Sequence, residues 1–207
     1  MAWNWLSDRN PGYQKIAEKL GMLYQEKDLN KEILSAHKVF KLFSMGGSKK
    51  VRYILSGNLE SKEPAFIFEY SYVVSTGKSS HTYFQHVLSV RLARNLPPFT
   101  LRPENFFHKI GEWLGFKDID FEAYPQFSDA YRLKSNNENK VRNLFNEFLL
   151  GFLSYEKGWW IECNGNNIIY FKFAKRMNQE MVEPFIEVAS TLHLLLTGFK
   201  KLDNNHI

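Results

Sequence analysis

Between Ala65 and Leu92 two alternating runs meet at Thr76-Gly77-Lys78-Ser79. Phe66, Phe68, Tyr70 and Tyr72 recur at every second position, as do Phe84, His86, Leu88, Val90 and Leu92. A period of two stacks such side chains on one face of a strand and scatters them around a helix, so the pattern predicts a long β-hairpin. With Gly77 and Lys78 as the central turn residues, Thr76 faces Ser79 and Glu69 faces His86. A preceding strand is expected over Val51 to Ser56, with Glu60 to Pro64 as the turn between them, giving three antiparallel strands.

The helical period appears on both sides of this hairpin. Tyr13, Ile16, Leu20, Leu23 and Tyr24 predict a helix from Asn10 to about Lys27, with Pro11 in the first turn where a missing N–H costs nothing. Ile33, Leu34, Ala36, Val39, Phe40 and Phe43 predict a second, near Lys31 to Phe43, ended by Gly46-Gly47. Pro97-Pro98 reads as the close of the hairpin region, and Pro103 as the start of a helix that stops at Gly115. The chain reads as one α+β domain over 1–207; residues 116–127 are irregular and acidic, and the alternative is an internal subdivision there into 1–115 and 128–207. A short strand at Tyr131 to Leu133 follows, then a capping box of Ser135 and Glu138. Val141, Leu144, Phe145, Phe148, Leu149 and Phe152 form one continuous helical face behind it. Trp159 to Cys163 and Ile168 to Phe173 read as a second hairpin turned at Asn164-Gly165. A last helix carries Phe185, Val188, Leu192, Leu195 and Phe199, with Pro184 in its first turn.

These elements predict an α+β fold: an antiparallel sheet of about six strands in two hairpin units, packed by helices. The order helix, glycine-rich break, strand, turn, strand occurs over Lys31 to Tyr72 and again over Glu138 to Phe173, an αββ structural repeat in outline.

The 207 residues are 44% hydrophobic and 24% charged, enough to bury a sizeable core. The longest apolar stretch, Val188 to Leu196, is interrupted by Ser190, Thr191 and His193 and is too short to cross a bilayer. The first residues lack the pattern of a secretory signal, and Cys163 is the only cysteine, so a cytoplasmic protein without an internal disulfide is expected. A net charge of +5 favours acidic partners mildly. The basic residues form short clusters: Lys49, Lys50 and Arg52; Lys172, Lys175 and Arg176; Lys200 and Lys201.

Candidate chemistry is sparse. Gly77-Lys78-Ser79 resembles the end of a phosphate-binding loop, but Tyr72 stands where that loop needs glycine and a strand follows where it needs a helix. Glu69 opposite His86 is the sharpest pair, with Ser71 nearby. It is either an acid/base pair or a structural cross-strand contact. Asp118, Asp120 and Glu122, with Asp129 beyond, partly follow a calcium loop, yet Ala123 replaces its glycine and Asp129 its bidentate Glu. They read as a solvated acidic loop, with a weak divalent site as the alternative. Nothing near Cys163 would lower its pKa, and no zinc-ligand spacing or cofactor motif occurs. Trp3, Trp5, Trp159 and Trp160 with the basic clusters raise an anionic membrane or nucleic acid as partners, although Trp159 and Trp160 must point to opposite faces of a strand.

The run Pro97 to Glu104, then Phe127-Ser128 with Tyr131 and Leu133, then the capped helix and Trp160-Ile161-Glu162, resembles a layout of bacterial proteins without an assigned activity. The resemblance covers roughly the second half and implies an element order, with no catalytic residues. The reading is therefore a non-enzymatic cytoplasmic module that binds a protein or a ligand, with Tyr70, Tyr72, Tyr83 and Gln85 as its surface. The alternatives are a small hydrolase-like enzyme using Glu69 and His86, and a basic protein binding membrane or nucleic acid.

Overall fold

A computed structural model describes residues 10–104 and 118–198. The chain is an α+β protein with a six-stranded antiparallel sheet covered by helices. Helix α1 (Asn10–Leu20) is shorter than its apolar pattern suggests. Gly21 takes the left-handed φ of 64°, and the Met22 N–H returns to the Ala17 carbonyl, which ends the helix. The remainder, Leu23–Lys27, is the edge strand β1, paired with Ser56 to Arg52 of β2 (Gly47–Asn58). The second expected helix is also broken. It consists of α2 (Glu32–Ala36) and a 3-10 turn over Lys41–Ser44.

The hairpin forms as expected from β3 (Pro64–Ser75) and β4 (Ser80–Pro103), and Glu69 pairs with His86 in the register set by Gly77. Beyond it, β4 does not end at Pro97-Pro98. It continues to Pro103, where its far half pairs with β5 (Tyr131–Ser135) on one side. Along its other side runs β6 (Trp159–Lys172), paired from Val87↔Phe171 to Leu101↔Ile161. The expected second hairpin at Asn164-Gly165 is thus a single strand, and the αββ repeat is absent.

The reason is a pair of facing irregularities. On β4 the core-facing residues change from Leu88, Val90 and Leu92 to Phe99 and Leu101, and on β6 from Ile161 and Cys163 to Ile168 and Tyr170. Both strands change parity where the register slips, around Leu96↔Gly165. Gly165 sits at φ 65°, the conformation of a bulge as readily as of a turn. The two prolines lie within the slip, where no ladder N–H is required.

Helices α3 (Pro125–Ala130), α4 (Glu138–Leu144), α5 (Glu147–Tyr155) and α6 (Val182–Thr197) complete the chain. The continuous face predicted over Val141 to Phe152 is divided at Phe145, and Phe148 points to solvent at 70% exposure. The cap of α4 is Asn137, which accepts from the Lys140 N–H; Ser135 instead donates to the Pro98 carbonyl. The helix expected from Pro103 to Gly115 lies outside the described residues beyond Glu104. So do Phe199 and the pair Lys200 and Lys201.

Both faces of the sheet are buried. On one, Tyr13 and Ile16 of α1, Leu149 and Leu153 of α5, and Phe185, Ala189 and Leu192 of α6 cover Leu55, Ile67, Leu88, Ile161 and Tyr170. This core joins residues from both halves of the chain, from Tyr13 to Leu196. On the other face, Ile33, Phe40, Leu42 and Phe43 cover Phe68, Tyr70, Tyr72, Val87 and Phe171. Trp159 lies in the first core and Trp160 in the second, on opposite faces as strand geometry requires.

Candidate functional site

The expected tyrosine surface is interior. Tyr70, Tyr72 and Gln85 are buried and Tyr83 is half-buried, because the short helix and the 3-10 turn after β1 lie over them. The Phe43 ring stands 4.3 Å from that of Tyr70. Tyr70 and Tyr72 phenols are pushed well above their ordinary range by this burial. These four residues form no exposed patch.

Glu69 and His86 are brought together across the ladder, at 4% and 0% exposure. His86 shares a 2.6 Å hydrogen bond through Nε2 with the hydroxyl of Tyr13. Tyr13 in turn stacks on Tyr53 at 4.7 Å, and Tyr53 holds a left-handed φ of 51° at a β2 bulge. The Tyr13–His86 bond thus ties helix α1 to the sheet.

Asp118 and Asp120 do not assemble a metal centre. Asp118 faces Arg132 and Lys134 at 3.9 Å each, Glu122 is exposed, and among the described residues no group of three His, Cys, Asp or Glu is placed to hold a metal. Cys163 is buried, and burial pushes its thiol up to about 12. The clusters at Lys49 to Arg52 and Lys172 to Arg176 belong to opposite sides of the sheet, with β3 and β4 between them.

One concavity among the described residues has no counterpart in the sequence reading. A cleft of about 480 Å³ opens between the end of α1, the β2–β3 turn and α6. Leu20, Met22, Leu59, Ile186 and Leu194 give it apolar walls. Asn58, Ser61, Ser190 and Thr191 add uncharged hydrogen-bonding groups, and Glu60 and Glu187 are its charged residues. Its size falls within the roughly 300–1,000 Å³ common for small-molecule sites. Lys19 of α1 pairs with Glu183 of α6, linking the two helices that wall it.

Behind the cleft, three distant residues form a chain of hydrogen bonds. His193 of α6 meets Glu63 of the β2–β3 turn through Nε2 at 2.6 Å and the Tyr170 hydroxyl of β6 through Nδ1 at 3.0 Å. Burial alone would raise the Glu63 carboxyl, but hydrogen bonds from His193 and the Ala93 N–H outweigh it and hold its pKa below the ordinary value. Burial lowers the His193 imidazole despite Glu63. A neutral His193 therefore donates from Nε2 to the ionised Glu63 and accepts at Nδ1 from the Tyr170 O–H. Burial also raises Tyr170 well above the ordinary phenol range, so it serves no proton abstraction. The chain fixes the turn and α6 at a set distance and so holds the cleft open. Single residues (Glu63, Tyr170, His193) carry no pattern in sequence; only the fold brings them together.

No protein-family model matches the chain, and no curated protein matches it. Among solved structures, the crystal structure of the mycobacterial trehalose monomycolate transport factor A, TtfA, superposes with a TM-score of 0.65 at 13% identity, over 97% of this chain and 99% of that one. The likeness is one of fold, along nearly the whole length of both chains.

Proposed function

We propose that this protein is a non-enzymatic binding module whose cleft between α1, the β2–β3 turn and α6 takes an amphiphile with an apolar body and an uncharged, hydroxyl-rich head. The observation that carries the reading is the cleft itself: apolar walls, five neutral polar side chains (Asn58, Ser61, Ser190, Thr191 and His193) and two carboxylates. Lys and Arg are missing from its described lining, so a carboxylate or phosphate head would meet the Glu187 carboxylate there. Hydroxyls can both donate to Glu60 and Glu187 and exchange hydrogen bonds with Asn58, Ser61, Ser190 and Thr191.

The whole-chain likeness in fold to a protein named as a trehalose monomycolate transport factor supports a place among transport factors. A reducing cytoplasmic setting belongs to the same proposal, since the single cysteine is a buried thiol. Glu69 and His86 support an enzyme less well, because both are buried and His86 is hydrogen-bonded to Tyr13 of α1. A membrane or nucleic-acid reading has less to support it, since the basic clusters on β2 and at the end of β6 are separated by two strands.

Calorimetric titration with octyl glucoside below its micellar concentration tests the proposal. Saturable binding is expected, weaker for octanoate, and lost in Thr191→Trp, which fills the cleft from an exposed position on α6. Binding that is unchanged in Thr191→Trp would place the ligand elsewhere.

A further inference from the structure

We propose that the outer face of α5 is an interface between two copies of this chain, whose α5 helices cross antiparallel about a two-fold axis. Phe148, Phe152 and Tyr155 fall at i, i+4 and i+7, one line along a helix. Phe148 is 70% exposed, Tyr155 is 84% exposed and Phe152 is half-buried. Rings aligned in this way form an apolar ridge, which marks an interaction surface where scattered apolar residues do not. Gly151 lies one turn from both Phe148 and Tyr155, inside a helix, where glycine is disfavoured relative to alanine. A Cβ there would face open space, so no neighbour within 4 Å requires a glycine. A second helix crossing at this point does, because a missing side chain lets two helix axes approach closely.

The two ends of the ridge select the partner and its direction. Glu147 opens α5 and Lys157 follows its end; both are exposed, and neither forms an ion pair with another described residue. An antiparallel crossing centred on Phe152 sets Glu147 of each copy opposite Lys157 of the other, two equivalent pairs generated by one symmetry axis. A parallel crossing would set Glu147 against Glu147. The surface is therefore complementary in charge to itself and to the antiparallel arrangement alone. Two such faces bury roughly 1,000 Å² in total, the size of a weak, reversible contact. No α5 residue lines the cleft between α1, the β2–β3 turn and α6, so this pairing leaves that cleft open.

Sedimentation velocity of the full chain over a range of concentrations tests the proposal. A reversible monomer–dimer equilibrium is expected, with a Kd of roughly 10–100 μM for so small a patch. Phe148→Ala with Tyr155→Ala, both at exposed positions, should weaken it at least about tenfold, since exposed rings carry the contact, and should leave the denaturation midpoint near that of the parent. Glu147→Lys alone and Lys157→Glu alone should each weaken it several-fold, and the two reversals in one chain should restore it, because opposite charges then face each other again. Gly151→Gln should raise the denaturation midpoint of the monomer, as a better helix former, while weakening the dimer; a glycine with no part in the contact would not move the dimer. A monomer at every concentration would overturn the proposal, including one that instead attaches to lipid vesicles through Phe148 and Tyr155. So would a dimer indifferent to the two alanine changes, or charge reversals that fail to rescue each other.

Discussion

Glu162 shows how much a single side chain holds in this molecule. Its carboxylate, buried on the second face of the sheet, accepts the N–H groups of Lys41 at 2.6 Å and Leu42 at 3.1 Å. It thereby pins the 3-10 turn that covers the second core. Burial raises its pKa to about 7 against those two donors. A carboxyl raised in the folded state binds its proton more tightly there than in the unfolded chain, so its ionisation opposes folding. Stability should therefore fall as pH rises from about 4.5 through about 7. Glu162→Gln should remove that slope while its amide carbonyl still accepts an N–H; parallel pH profiles of denaturant unfolding for the two proteins would contradict the assignment. Gly46 is constrained in a different way. At φ 55°, a Cβ there would stand 2.5 Å from the Val73 carbonyl oxygen and from Tyr72. Gly46→Ala should cost about 1–3 kcal/mol, read from the denaturation midpoint.

At the scale of elements, local chemistry decides where helices stop. Helices α4 and α5 are separate because Asn146 turns its side chain onto the Leu149 N–H and starts a new helix one residue after Phe145. Its Nδ2 also donates to the Leu195 carbonyl, joining α5 to α6. Asn146→Ala should cost about 1–2 kcal/mol through the lost cap, and Asn146→Asp should recover most of it, since the acceptor oxygen remains. Equal losses in both would shift the weight to the Leu195 bond. The hairpin of β3 and β4 was legible because Gly77 fixes a two-residue turn and period-two alternation fixes the faces. The lengths of β4 and β6 were not, because Pro97-Pro98 and Asn164-Gly165 look like chain reversals. A parity change shared by two neighbouring strands leaves no local signal. Similarly, apolar residues from Tyr13 to Tyr24 continue past Gly21 in helical spacing, although Leu23 ends 77% exposed on an edge strand.

For the whole molecule, the sheet is covered on both sides. That explains why the tyrosines of β3 and β4 form a core where alternation alone suggested an open face. Composition could not reveal the second cover, since residues 32–44 are short pieces whose packing depends on tertiary pins such as Glu162 and the 2.7 Å His37–Ser89 bond. The cleft is likewise a property of assembly, formed where α1, the β2–β3 turn and α6 converge and held by the Glu63–His193–Tyr170 chain. His193→Phe should leave Glu63 and the Tyr170 hydroxyl unpartnered by imidazole. A loss of about 1–3 kcal/mol is expected, with weaker ligand binding. The most direct test of the central claim is an amide-resolved NMR titration with octyl glucoside below its micellar concentration. The account predicts saturable shifts confined to Met22, Leu59, Ser190, Thr191 and Leu194. Shifts that fail to saturate, or that map to another surface, would contradict it.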